Sequence, residues 1–344
     1  MVVPPQGWAE GLDRARARVR RGMTTAARGH AALDVGGIDV ELQRARSSSM
    51  KESIEATGQG AVSTFAFRVT YTIPARAADG RPAHKTVLDD VHGCARSGEI
   101  LALMGASGSG KTSLLNVLAG RVPVGGALER CALLVDGRPR DHGQFSRVSA
   151  YVMQDDALFP CLTVLETFTI AAQLRLPRSM ARGEKDRIRD AIVREMGLAE
   201  ALHTRVGGAR VRGVSGGERK RINIGVEMMR FPSVLLLDEP TTSLDSAQAL
   251  RVMETLTQVA SHGRVVIAAV HQPRSSIFQL FHSLVLLTER GQQVYAGPAS
   301  EAVGFFRDEG FSCPDAWNPA DYFLGRHRAP GPRPGRAPAA RAAR

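Results

Sequence analysis

The octapeptide Gly105-Ala106-Ser107-Gly108-Ser109-Gly110-Lys111-Thr112 matches the pattern G-x-x-x-x-G-K-[ST] without departure. It lies between a continuous apolar run, Glu99–Met104, and a segment, Lys111–Ala119, whose Leu114, Leu115 and Leu118 fall at helical spacing. That context narrows the fold sharply. An uninterrupted apolar run suits a strand buried on both faces, which is the habit of parallel sheets covered by helices. The glycines let the backbone wrap closely around phosphate groups and present successive N–H donors, and the helix N-terminus adds its positive end. In such a loop Lys111 offers a point charge to β- and γ-phosphates, Thr112 offers a hydroxyl to Mg²⁺, and Ser113 continues the cradle.

The rest of the chain supports an α/β reading. Phe65–Tyr71 alternates, with Phe65, Phe67, Val69 and Tyr71 on one face. Val87–Val91 also reads as a strand, and short apolar runs recur at Ala132–Val135, Val148–Met153, Val234–Leu237, Val265–Val270 and Leu284–Leu287. Glu184–Met196 has Ile188, Ile192, Val193 and Met196 at helical spacing. Strands alternating with helices predict a parallel-sheet core. The strands before residue 100 and a helical stretch at about 160–230 are expected to form subdomains beside it. At roughly 150 residues per domain, 344 residues suggest two domains, but the dense pattern is one block, 61–325. Residues 1–60, without sustained periodicity, read as a disordered leader, and the Pro/Ala/Arg-rich stretch 326–344 as a solvated tail.

Charge excludes one class of partner. The net charge is +11, yet residues 326–344 hold six arginines and no acid, while 61–325 hold 30 basic and 27 acidic residues. A nucleic-acid-binding surface would place the excess on the folded body, so no nucleic acid is expected. Cys94, Cys131, Cys161 and Cys313 lack C-x-x-C spacing, which argues for free thiols in a reducing compartment. No apolar stretch approaches the ~20 residues of a membrane-spanning helix.

A second constellation completes the chemistry. Val234-Leu-Leu-Leu-Asp238-Glu239 delivers two carboxylates at a strand's carboxyl end, where ligands of open α/β sheets bind. Phosphoryl transfer needs charge neutralisation and an oriented nucleophile. Asp238 suits Mg²⁺ and Glu239 suits the attacking water. A third element, Val214-Ser215-Gly216-Gly217-Glu218-Arg219, has the form of a helix N-cap, with Ser215 and Glu218 spaced as a capping box. A capped helix start behind Ser-Gly-Gly is also a second phosphate cradle.

This last segment resembles the signature motif of ABC-transporter ATPases, within the P-loop NTPase class. The resemblance implies further roles. Gln154, after the strand Val148–Met153, is similar to the glutamine that contacts Mg²⁺ and water. Ser243-Leu244-Asp245 is similar to the D-loop, with Asp245 at the nucleotide interface and Ser243 where the family usually has glycine. His271, after Val265–Val270, is similar to the switch histidine that senses the γ-phosphate. Tyr71 is the candidate aromatic to stack on adenine, although a strict register would place Ile73 there. The metal set implied is Thr112, Gln154 and Asp238. Catalytic roles fall to Glu239, His271 and Gln154.

Within that family the stretches Tyr151–Pro160, Val211–Arg221, Val270–Pro273, Gly297–Phe306 and Asn318–Tyr322 resemble the G subfamily, the White-type half-transporters. The resemblance implies an antiparallel β subdomain and an α-helical subdomain beside the core. It implies ATP and Mg²⁺ as ligands and a second nucleotide-binding domain to supply Ser215, Gly216, Gly217 and Glu218. A transmembrane domain is the implied further partner, so the place of action is the cytoplasmic face of a membrane. Two other readings compete: a non-transport ABC ATPase, which usually carries two motif sets where this chain has one, and a regulatory ATP-binding module.

Overall fold

In a computed structural model the described residues are 61–76, 82–122, 128–208, 211–311, 313–314 and 317–325. The leader and tail expectations lie outside them. Two sheets organise the fold. The first is antiparallel, in the order β2-β1-β4-β5, with β1 Thr64–Arg76, β2 Pro82–Arg96, β4 Leu128–Val135 and β5 Arg138–Pro139. The second has six strands in the order β10-β9-β3-β8-β7-β6. Its members are β3 Ile100–Gly105, β6 Ser149–Val152, β7 Val234–Asp238, β8 Val265–Val270, β9 Ser283–Leu287 and β10 Gln293–Pro298. All pairs in it are parallel except β9 with β10.

The central strands are apolar throughout because both faces are covered. Along β3, Ile100, Ala102 and Met104 enter one core, and Leu101 and Leu103 enter another. β7 and β8 split the same way, with Leu235, Leu237, Val266 and Ala268 in the first core and Val234, Leu236, Val265 and Ile267 in the second. The first core lies against helices α3 Val164–Arg175, α4 Arg182–Glu195, α5 Gly216–Met228 and α6 Ser246–Ser261. The second is closed by α1 Lys111–Ala119, α2 His142–Val148 and the antiparallel sheet.

Helix α1 has the predicted bounds and ends at Gly120 in the left-handed conformation. The antiparallel strands run longer than their apolar runs. β2 continues on both sides of Asp89 and Asp90, and Asp90 (φ 51) sits at a register irregularity with Arg68 bonded to its carboxylate across the strands. β10 and α2 are elements that the apolar pattern does not announce. Beyond β8 come α7 Ser275–Phe278, α8 Ala302–Asp308 and α9 Pro319–Gly325.

Candidate functional site

The strand order sets up the site. β3, β8, β7 and β6 are parallel neighbours, so the segments leaving their carboxyl ends share one edge of the sheet. Met104 pairs with Val270, Asp238 with Ala269, and Val152 with Leu237. The loop 105–112, His271, the pair Asp238–Glu239 and Gln154 therefore emerge side by side, the position that favours ligand binding in open α/β sheets.

Within the loop, Lys111 is buried, and its Nζ donates to the carbonyls of Gly105 and Ala106, both at 2.9 Å. Burial holds its ammonium below the usual lysine range, while the Glu239 and Asp238 carboxylates oppose that shift. Ser109 is fully buried, and among the described residues its Oγ has no protein partner. Gly110 (φ 92) is obligatory: a Cβ there would lie 2.8 Å from Leu88 and 3.1 Å from the Val87 carbonyl. A buried hydroxyl without a protein partner, a cationic side chain and a closely wrapped backbone fit a polyphosphate.

Asp238 is buried at the end of β7. Its Oδ1 accepts from Thr112 Oγ1 at 3.0 Å and its Oδ2 from Tyr151 Oη at 3.4 Å. Burial raises its carboxyl above the usual range, against the lowering effect of the Thr112 bond. Glu239 accepts at one oxygen, Oε2, from Gln154 Nε2 at 3.2 Å and from Thr242 Oγ1 at 2.8 Å. Its backbone sits at φ 46, and Gln272, after His271, at φ 43. Non-glycine residues held there cost of the order of 1–3 kcal/mol each, and such strain gathers at functional sites. A hard divalent cation takes oxygen ligands. Thr112 and Asp238, already hydrogen-bonded, and the nearby Gln154 make a chemically suitable donor set.

The second cradle stands elsewhere on the chain. Ser215 caps α5, with Glu218 N donating to Ser215 Oγ (3.2 Å) and Ser215 N to Glu218 Oε2 (2.8 Å). Ser215 and Gly216 are exposed, while Gly217 is buried and its N–H donates to Gln248 of α6 at 2.9 Å. Asp245 caps α6 by accepting from Gln248 N at 2.8 Å. Among the described residues, no hydrogen bond joins Ser215–Glu218 or Asp245 to the chain's own phosphate loop. Tyr71 lies at a bulge in β1, half-buried against the second core.

Two contributors were missed from sequence: Tyr151, over whose ring Arg121 stacks at 4.0 Å, and Thr242. Their signals were slight, a tyrosine in a strand and a hydroxyl three residues past Glu239. The distant Asn318 amide also reaches this edge, donating to the Pro273 carbonyl just past His271 at 2.8 Å.

A phosphate loop on the central strand, two carboxylates on a nearby parallel strand and a detached Ser-Gly-Gly helix start define an ATP-binding-cassette ATPase domain. A family described as ABC transporter matches residues 88–242, and one described as ABC-2 type transporter matches 271–326. ABC transporter G family member 13 of Arabidopsis thaliana is 44% identical over 71% of this chain and 36% of its own length. ABC transporter G family member 1 of Dictyostelium discoideum is 43% identical over 70% and 30%. ATP-binding cassette sub-family G member 8 of Rattus norvegicus is 37% identical over 81% and 40%. This chain carries an ABC transporter ATP-binding domain of the G family, and it spans about a third of the length of such relatives. Among the described residues, no helix is long and apolar enough to cross a membrane.

Proposed function

We propose that the chain binds and hydrolyses ATP as a face-to-face dimer of nucleotide-binding domains and so drives transport by an attached or separate membrane domain. The observation that carries this reading is the meeting of Gln154, Thr242 and Glu239 at one carboxylate oxygen, beside the Asp238–Thr112 pair.

Lys111 and the loop amides neutralise and hold the β- and γ-phosphates. Thr112, Asp238 and Gln154 would hold Mg²⁺, which when bound screens phosphate charge. The bonds from Gln154 and Thr242 fix Glu239 through Oε2, leaving Oε1 to orient and polarise water. His271 faces the same edge and senses the γ-phosphate. Ser215, Gly216, Gly217 and Glu218 of a second chain close the site, with Asp245 at the seam and Tyr71 toward the adenine. ATP then shifts the population toward the closed dimer, and hydrolysis releases it. In domain terms, 61–325 is the ATPase, with 160–230 as its helical part, working at the cytoplasmic face of a membrane.

Glu239→Gln keeps the side-chain size and removes the base. It is expected to abolish hydrolysis and to hold an ATP-bound dimer in size-exclusion chromatography with light scattering. A purely monomeric elution in excess ATP and Mg²⁺ would defeat this reading.

A further inference from the structure

Lys220 is a charged residue buried in the first turns of α5, five positions after the Ser215 cap. An ammonium has three donors. Its Nζ lies 2.8 Å from the Gln154 carbonyl, 2.8 Å from Asp156 Oδ1 and 3.5 Å from the Met153 carbonyl. One turn further along α5, Asn223 Nδ2 donates to the same Asp156 oxygen at 2.8 Å. The segment leaving β6 is thus gripped by two side chains of α5. The backbone of Gln154 is held from one side while its amide reaches Glu239 on the other.

Resting on the dimeric reading above, we propose that Lys220 is a positioning residue joining the two ATP sites of a dimer. Its helix presents the Ser-Gly-Gly cradle to the site opposite, and its ammonium fixes Gln154 in the site of its own chain. A shift of α5 on closure over the partner's nucleotide is transmitted to the Gln154 carbonyl, and from there to the geometry at Glu239. Other bonds make α5 a stiff carrier for that motion. Arg221 Nε donates to the Met196 carbonyl at 2.9 Å, and Glu227 accepts from the two terminal guanidinium nitrogens of Arg175 at 2.7 and 2.6 Å.

The test uses Lys220→Met, which keeps the buried stem and removes the ammonium, in the full 344-residue chain. Three readouts are compared with wild type: kcat and KM for ATP, ADP affinity, and chymotryptic cleavage mapped by mass spectrometry. kcat is expected to fall by about tenfold or more, because small misplacements of positioned groups carry such losses. ADP affinity should stay within about twofold, since Lys111 and the phosphate loop are untouched. Cleavage between Met153 and Phe159 should speed up, with none gained within β3 or β8. Asp156→Asn serves if Lys220→Met does not fold: the weakened grip should speed the same cleavage with a smaller loss of kcat.

Unchanged cleavage at 153–159 overturns the proposal. So does an active Lys220→Met enzyme, or a kcat loss accompanied by weaker ADP binding and cleavage throughout the core. A wild-type chain that hydrolyses no ATP would instead remove the dimeric ATPase reading, and with it the proposed communication between sites.

Discussion

Ser243 occupies the left-handed region at φ 64, on an exposed turn between Glu239, itself at φ 46, and the Asp245 cap of α6. An L side chain in that region pays a steric penalty that glycine avoids. The two positions differ in what could relieve them. At Glu239 the proposed role requires the side chain, so the strain stays. At Ser243 the side chain can be removed without touching a hydrogen bond described for the site. Ser243→Gly is therefore expected to raise the free energy of unfolding by about 0.5–1 kcal/mol in urea titrations, after allowing for glycine's larger unfolded entropy. A loss of stability would show that the hydroxyl stabilises the turn in a way its backbone angle does not reveal.

Helix α5 is the element on which most of the site's indirect contacts meet. Its start is the capped Ser-Gly-Gly segment, Lys220 holds the segment after β6, and Glu227 holds Arg175 of α3. The Arg175–Glu227 pair is bidentate but partly exposed, with 28% and 20% side-chain exposure. Solvent screening therefore limits its worth. A double-mutant cycle of Arg175→Met and Glu227→Gln, followed by thermal unfolding, is expected to give a coupling energy of about 1 kcal/mol. A coupling of zero would leave α3 and α5 joined by packing alone. These contacts also mark how far sequence reading reaches. β3, β7 and β8 were readable because burial on both faces forces unbroken apolar runs, and the motif residues at their ends follow from strand order. Gln154 and Glu239, 85 positions apart, could be placed together only through the family resemblance. The strand reading of β2 stops short because His84, Lys85 and Thr86 before the run Val87–Val91, and His92 and Gly93 after it, carry no apolar pattern; Asp89 and Asp90 within the run are satisfied by bonds from Gln292 and Arg68. Lys220 was invisible for a related reason: a lysine beside two arginines on a helix looks like a solvated face, and only tertiary packing buries it.

Across the described residues as a whole, the two cores flank one sheet, and the proposed nucleotide edge lies at its carboxyl end. The helical part and the residue just before it expose large apolar side chains: Leu174 at 80%, Ile170 at 44% and Phe159 at 70%. Ile170 and Leu174 are four residues apart on α3 and so share a face. Scattered exposed apolar residues need no explanation, but several close together mark contact surfaces. Nothing in the hydrogen bonding of Gln154, Asp238 or Glu239 involves these side chains. If the face serves a membrane partner and not catalysis, the two properties separate. The double variant Ile170→Ser and Leu174→Ser should keep ATP hydrolysis within about twofold of wild type, because surface changes away from a site seldom exceed about 0.5 kcal/mol. Its concentration-dependent self-association in sedimentation velocity without nucleotide should decrease, because the apolar area available for non-specific contact is smaller. A tenfold loss of hydrolysis with unchanged thermal stability would instead place this face within the machinery that closes the ATP site.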